Sequence, residues 1–138
     1  MPATLVAVDT SALLALANSR DQYHAQAART LARLQQRGAE FVSHALVMGE
    51  LHGHLLRRLP HADARRIVQG LLRDPSFRWR EVGQDLLSRA LSGWMERYGD
   101  QRFSLTDAVT FELMREAKIA SAFAYDDHFA VAGFVLEP

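Results

Sequence analysis

Four carboxylates in this chain stand where carboxylates do chemistry. Asp9 ends the apolar run Leu5, Val6, Ala7, Val8 and is followed by Thr10 and Ser11. Asp126 ends a second apolar run, SAFAY, with Asp127 beside it. Asp107 lies in SLTDAVTFELM, in the first turn of a helical stretch, and Glu50 lies inside an otherwise apolar one. Each has an ordinary explanation. Asp, Ser and Thr favour helix N-caps, which suits Asp9. Ser104 to Asp107 has the spacing of a capping box, with Asp a shorter partner than Glu. Glu50 sits about 100° round its helix from Leu51, and pairs by spacing with His54. As a set they say more. A strand that stops at an acid puts a carboxylate at the carboxyl end of a sheet, where open α/β sheets bind ligands. In a parallel sheet Asp9 and Asp126 land on one edge. Carboxylates gathered there repel and take up protons unless a cation offsets them. Carboxylate and water oxygens suit a hard divalent ion, Mg²⁺ or Mn²⁺.

Other chemistries find less support. His44, His52, His54, His61 and His128 do not spell a zinc site. His52 and His54 point about 200° apart on a helix, and no His-Glu-x-x-His occurs. There is no glycine-rich phosphate loop and no Gly-x-Ser-x-Gly elbow to supply a nucleophile.

Strands alternating with helices must hold the acids in place. After the strand at 5–8, Leu13, Leu14 and Leu16 have helical spacing. Residues 21–37 carry Ala27, Leu31 and Leu34 on one face and stop at Gly38. Residues 40–43 read as a short strand. Residues 44–59 read as a helix with Met48, Leu51, Leu55 and Leu59 inward, ended by Pro60. The next helix, 61–73, has Ile67, Leu71 and Leu72 inward and closes at Asp74-Pro75. Residues 77–82 (FRWREV) alternate like a half-exposed strand. A helix over 84–98 carries Leu86, Leu87, Leu91, Trp94 and Met95, and a strong one spans 105–119. Residues 121–125 read as a buried strand, and 131–136, broken by Gly133, as a last one. Such alternation implies βαβ crossovers: an α/β fold with a mainly parallel sheet of about four to five strands and helices on both faces.

The bulk numbers fit one domain spanning 1–138. At 49% hydrophobic and 23% charged the chain reads as globular. No apolar run approaches the ~20 residues that span a bilayer, so no membrane is expected. No secretory pattern opens the chain, and it has no cysteine, which excludes disulfides and thiolate metal sites. A cytoplasmic location follows as an expectation. Net charge is zero but uneven. Residues 20–80 hold 11 arginines against 5 acids, and 81–138 hold 5 basic residues against 10 acids. Arginine forks suit phosphates, yet Arg-rich faces are also ordinary solvated helix surface. Zero net charge argues against a strong non-specific nucleic-acid binder.

VDTSALLAL after a strand, MGELHGHL, SLTDAVTFELM and AYDDHFAVAGF, in this order, resemble the PIN-domain ribonucleases, specifically the VapC-type toxins of toxin–antitoxin pairs. The resemblance covers nearly the whole chain. It carries the family's acids onto Asp9, Glu50, Asp107 and Asp126, the spacing to His128-Phe129 favouring Asp126 over Asp127. It implies a PIN-like fold and an endoribonuclease dependent on Mg²⁺ or Mn²⁺. Asp9 and Asp107 would hold one or two ions, with Glu50 and Asp126 completing the site, Thr106 in support, and 5′-phosphate and 3′-hydroxyl products. It implies RNA as substrate, a cognate antitoxin as partner and a homodimer. Arg57, Arg58, Arg65, Arg66 and Arg73 become candidates for RNA or antitoxin contact. Two rivals remain to be weighed. A phosphorylatable receiver-type sheet would need paired acids after the first strand, an acid after a middle strand and a Lys after a late one, and the chain lacks all three. A PIN-like module without turnover would act through an antitoxin-like partner alone.

Overall fold

The apolar N-terminal run becomes the central strand of the sheet. The computed structural model describes residues 4–137, so residues 1–3 and 138 of the expected 1–138 domain lie outside the described residues. The strands are β1 (Thr4–Val8), β2 (Ala39–His44), β3 (Phe77–Arg80), β4 (Ser121–Phe123) and β5 (Val135–Leu136). They form one sheet in the order β3-β2-β1-β4-β5, every pair parallel. The helices among the described residues are α1 (Thr10–Ala17), α2 (His24–Gln36), α3 (Ala45–Leu56), α4 (His61–Arg73), α5 (Gln84–Ala90), α6 (Leu105–Ala117) and α7 (His128–Val131). α5 runs straight into a π-helical stretch, Leu91–Glu96.

Strand alternation divides the core in two. Val6, Val8, Phe41 and Phe123 face one side with Leu13, Leu34, Leu51 and Leu55 from α1, α2 and α3. Ala7, Val42 and Ala122 face the other, against Leu86, Trp94, Phe111, Met114 and Phe129. A parallel sheet covered on both faces is the α/β architecture the alternating elements foretold. Its chain path places the site. From β1 the chain steps to β2 and β3 on one flank, then crosses back to β4 and β5 on the other. The crevice between β1 and β4 is thus the switch point where α/β sheets bind ligands. The Asp9 N–H closes that seam by donating to the Phe123 carbonyl at 3.1 Å.

Local signals held where they were strong. α4 spans 61–73 as its period predicts, and His44 caps α3, its Nδ1 accepting the Leu46 N–H at 3.3 Å. Three expectations need correction. The last strand is only Val135–Leu136; residues 128–131 are helical, and Gly133 at φ +98° turns the chain between them. Leu72 is 57% exposed, because α4 packs through Ala64, Ile67, Val68 and Leu71. Leu91 is 45% exposed, since the wider π-helical turn carries it outward while Trp94 stays buried.

Candidate functional site

The switch point gathers all four expected acids. Asp9 follows β1, Asp126 follows β4, Asp107 lies in the first turn of α6, and Glu50 lies mid-way along α3. They line one cleft of about 450 Å³. Asp127 is exposed and does not line it.

Each carboxylate is held by named contacts. Asp9, 5% exposed, accepts the Ser11 hydroxyl proton at 3.1 Å. That hydroxyl accepts the Tyr125 N–H at 3.0 Å, so the segments after β1 and β4 are tied beside the acid. Asp107 is held by the capping box that its sequence spelled. Ser104 Oγ accepts the Asp107 N–H at 3.0 Å, and Asp107 Oδ2 accepts the Ser104 N–H at 3.3 Å. The cap does not take Asp107 out of the cleft: the same carboxylate closes the capping box and lines the cleft. Asp126 Oδ1 accepts the His128 N–H at 2.9 Å. Glu50 is exposed; its Oε1 accepts the Thr10 hydroxyl proton at 2.8 Å, not a contact from His54.

The electrostatics are those of an unbalanced cluster. Burial, then the charge of Asp107, raises the Asp9 carboxyl from 3.8 to about 7, against hydrogen bonds around Thr10 and Ser11. Burial also raises Asp107; hydrogen bonds from His128 and Ser104 oppose it, and the charge of Asp126 adds to it. Burial is the larger cause of both shifts, and a neighbouring carboxylate adds to each.

Sequence reasoning missed His128. Its Nδ1 lies 3.1 Å from Asp107 Oδ2 and 3.4 Å from Asp126 Oδ1. Asp107, Asp126 and His128 each offer a ligand atom within 4.8 Å of the others, a grouping able to hold a metal ion. The signal is present in AYDDHF, where the histidine lies two residues after Asp126 and shares its turn. Asp9 lies outside this tightest trio, its carboxylate tied to Ser11, although its charge is felt at Asp107. Arg102 also lines the cleft and was not foreseen. Thr106 does not line it; its carbonyl accepts the Thr110 hydroxyl proton at 3.1 Å. His44 is wholly buried, with Nε2 2.8 Å from Thr110 Oγ1, and desolvation lowers it to about 4. It is a core residue.

Comparison with known proteins places this geometry in context. The PIN domain family model matches residues 6–135. The 23S rRNA-specific endonuclease VapC20 of Mycobacterium tuberculosis is 33% identical over 132 residues, covering 95% of this chain and 96% of the relative. The crystal structure of VapC20, described as a Sarcin-Ricin loop cleaving toxin, aligns with a TM-score of 0.83 at 32% identity, over 94% of this chain and 96% of that one. VapBC2 from Rickettsia felis, bound to a DNA fragment from its promoter, aligns with a TM-score of 0.65 at 12% identity over 96% of each chain, which speaks for the fold alone.

Proposed function

The chain belongs to the PIN-domain family, and we propose that it is a metal-dependent endoribonuclease, the toxin of a VapBC-type toxin–antitoxin pair, its single domain spanning 1–138. The observation that carries this reading is the crowding of Asp9, Asp107 and Asp126 with Glu50 in one cleft at the switch point, where burial and the charge of Asp107 raise the Asp9 carboxyl. The donor set fits a hard divalent ion: carboxylate oxygens from Asp107 and Asp126 and one imidazole nitrogen, with Asp9 and Glu50 facing the same cleft. We take Mg²⁺ or Mn²⁺ as the ion, and Asp9, Glu50, Asp107 and Asp126 as the catalytic and metal-holding acids. When bound, such an ion supplies Lewis acidity at the phosphodiester and lowers the pKa of water.

The chain's own residues do the positioning. Ser104 holds Asp107 through reciprocal backbone bonds, and Ser11 holds Asp9. Thr10 fixes Glu50 across the cleft. His128 bridges Asp107 and Asp126 and keeps both carboxylates turned to the same point. Arg102 lines the cleft and offers a guanidinium to the non-bridging phosphate oxygens. Hydrolysis in this frame leaves a 5′-phosphate and a 3′-hydroxyl.

The partners of this reading are RNA, a cognate antitoxin and a second copy of the chain, in the cytoplasm; no helix among the described residues is long and apolar enough to cross a membrane. The RNA to test first is 23S rRNA, the substrate named for the 33%-identical relative. Incubated with 23S rRNA and Mg²⁺ or Mn²⁺, the chain should give discrete fragments with 5′-phosphate ends, and excess chelator should stop it. Antitoxin binding without cleavage of any RNA in either ion would leave only the module without turnover.

A further inference from the structure

The acidic cleft uses only part of two packed helices. It takes the first turns of α1 through Leu14, and Glu50 and His54 of α3. Farther along, the same pair borders a second cleft of about 590 Å³, lined by Asn18 and Arg20 after α1 and by Arg57 and Arg58 after α3. Arg57 caps the end of α3 seven residues beyond Glu50, hence ~10 Å farther along the helix axis.

The three guanidiniums are not explained by the fold alone. Among the described residues, Arg33, Arg37, Arg66, Arg78, Arg89 and Arg115 all meet carboxylates. Arg20, Arg57 and Arg58 appear in no such pair. One helix-end role is visible: Arg58 Nη1 donates to the His54 carbonyl at 2.8 Å, a favourable place for a cation. That uses one of five N–H groups. Arg57 Nη1 makes one long contact, 3.4 Å to His54 Nδ1, and Arg20 meets no carboxylate among the described residues, so most of the donors stay free for an anion. Other arginines also lack acids, but these three converge on one concavity. Like charges gathered there repel one another and attract an anion.

We infer that this cleft is a phosphate subsite for the RNA backbone, receiving phosphates a few nucleotides from the bond positioned at the acids. The inference rests on the nuclease reading and supplies what that reading lacks. An acidic rim repels a polyanion, and a chain of zero net charge has no overall field to overcome the repulsion. Guanidinium forks accept carboxylates as well as phosphates. Continuity with the acidic cleft along α1 and α3, and a lining in which Ala17 and Leu59 are the only apolar residues, favour a strand of phosphodiesters over an acidic peptide.

The test is made on the full chain with divalent ions chelated, so that RNA is bound but not cut. Anisotropy of a fluorescein-labelled single-stranded RNA oligonucleotide is followed against salt. Arg20→Gln/Arg57→Gln/Arg58→Gln should flatten the log–log salt slope by about 2, at roughly 0.7 per lost contact on single strands. Arg20→Gln/Arg57→Gln, which keeps the Arg58 helix-end bond, should flatten it by about 1.4 on the same footing. Arg29→Gln/Arg80→Gln/Arg97→Gln removes equal charge from exposed positions that line neither cleft and should leave the slope as in wild type. With Mg²⁺ or Mn²⁺ restored, the cleft variants should raise KM while kcat holds. An unchanged slope in the cleft variants, or equal flattening in the control, overturns the subsite. Loss of antitoxin binding with the RNA slope intact overturns it too, and gives the cleft to an acidic peptide. Wild-type protein that cuts no RNA in either ion sinks the nuclease reading itself, whereas normal cutting by the triple variant sinks only the subsite.

Discussion

Two acids buried to nearly the same degree show what makes a functional site here. Asp9 is 5% exposed and its carboxyl is raised to about 7. Glu112, on the same helix as Asp107, is 3% exposed and its carboxyl is lowered to about 2. The difference is in what surrounds them. Arg115 donates to Glu112 twice, at 3.0 and 2.6 Å, Trp94 Nε1 donates at 3.2 Å, and Arg89 Nε lies 3.4 Å away. Glu112 thereby pins the π-helical stretch to α6. Asp9 has a hydroxyl and a neighbouring carboxylate instead. Burial of an acid therefore does not mark a site. An acid buried without a cation from the chain is the better candidate, because it either keeps its proton or takes a cation from outside. Residues 107 and 112 lie about 140° apart round their helix, so one element serves both purposes on different faces.

The sharpest way to break this contrast is to neutralise each acid in turn. Asp107→Asn or Asp9→Asn should abolish RNA cleavage, by about 10²-fold or more, while far-ultraviolet circular dichroism stays unchanged. Glu112→Gln should leave kcat near wild type. Equal loss in all three variants would erase the distinction.

Stability against pH probes the same contrast with opposite signs. The Asp9 carboxyl is raised from 3.8 to about 7, so the metal-free protein loses stability as pH climbs through that window, by up to a few kcal/mol at ~1.4 per unit. Asp9→Asn should flatten that slope in urea titrations at stepped pH, leaving the part due to Asp107, whose carboxyl is raised as well. Glu112 is lowered from 4.5 to about 2, so its contribution is lost as pH falls through that range. His44, lowered from 6.5 to about 4, also removes stability on acidification, between those values. Mg²⁺ or Mn²⁺ at about 100 times its Kd should add ~2.7 kcal/mol to wild type near neutral pH, and far less to Asp107→Asn.

Smaller effects refine the picture. Glu112→Gln should cost about 1–3 kcal/mol in urea midpoints, since Arg115 and Trp94 lose a charged acceptor. Ser11→Ala should weaken divalent binding by about 10-fold, as loss of a group that orients an acid does. Calorimetry with Mn²⁺ reads this directly, and unaltered affinity would remove Ser11 from the site.

Much of this molecule was legible in the chain because much of it is local. The run ending at Asp9, the period of 61–73 and the capping box at Ser104 and Asp107 depend on neighbours within a few residues, and they stand as read. The four acids were recognisable because each closes a strand or sits in a helix of readable period. Other features were not local. Leu72 and Leu91 turn outward because packing chose another face or another helical pitch. His128 meets Asp107 across 21 residues, Trp94 meets Glu112 across 18, and Ser11 meets Tyr125 across 114. Such contacts exist only because β1 and β4 became neighbours in the sheet and the π-helical stretch came to lie on α6. Propensity and periodicity report what one stretch of chain prefers for itself. Glu112 finds Arg115 one helical turn away. Arg89 and Trp94 reach it, and Asp107 and Tyr125 reach the surroundings of Asp9, only through long-range packing, and only the folded chain decides that.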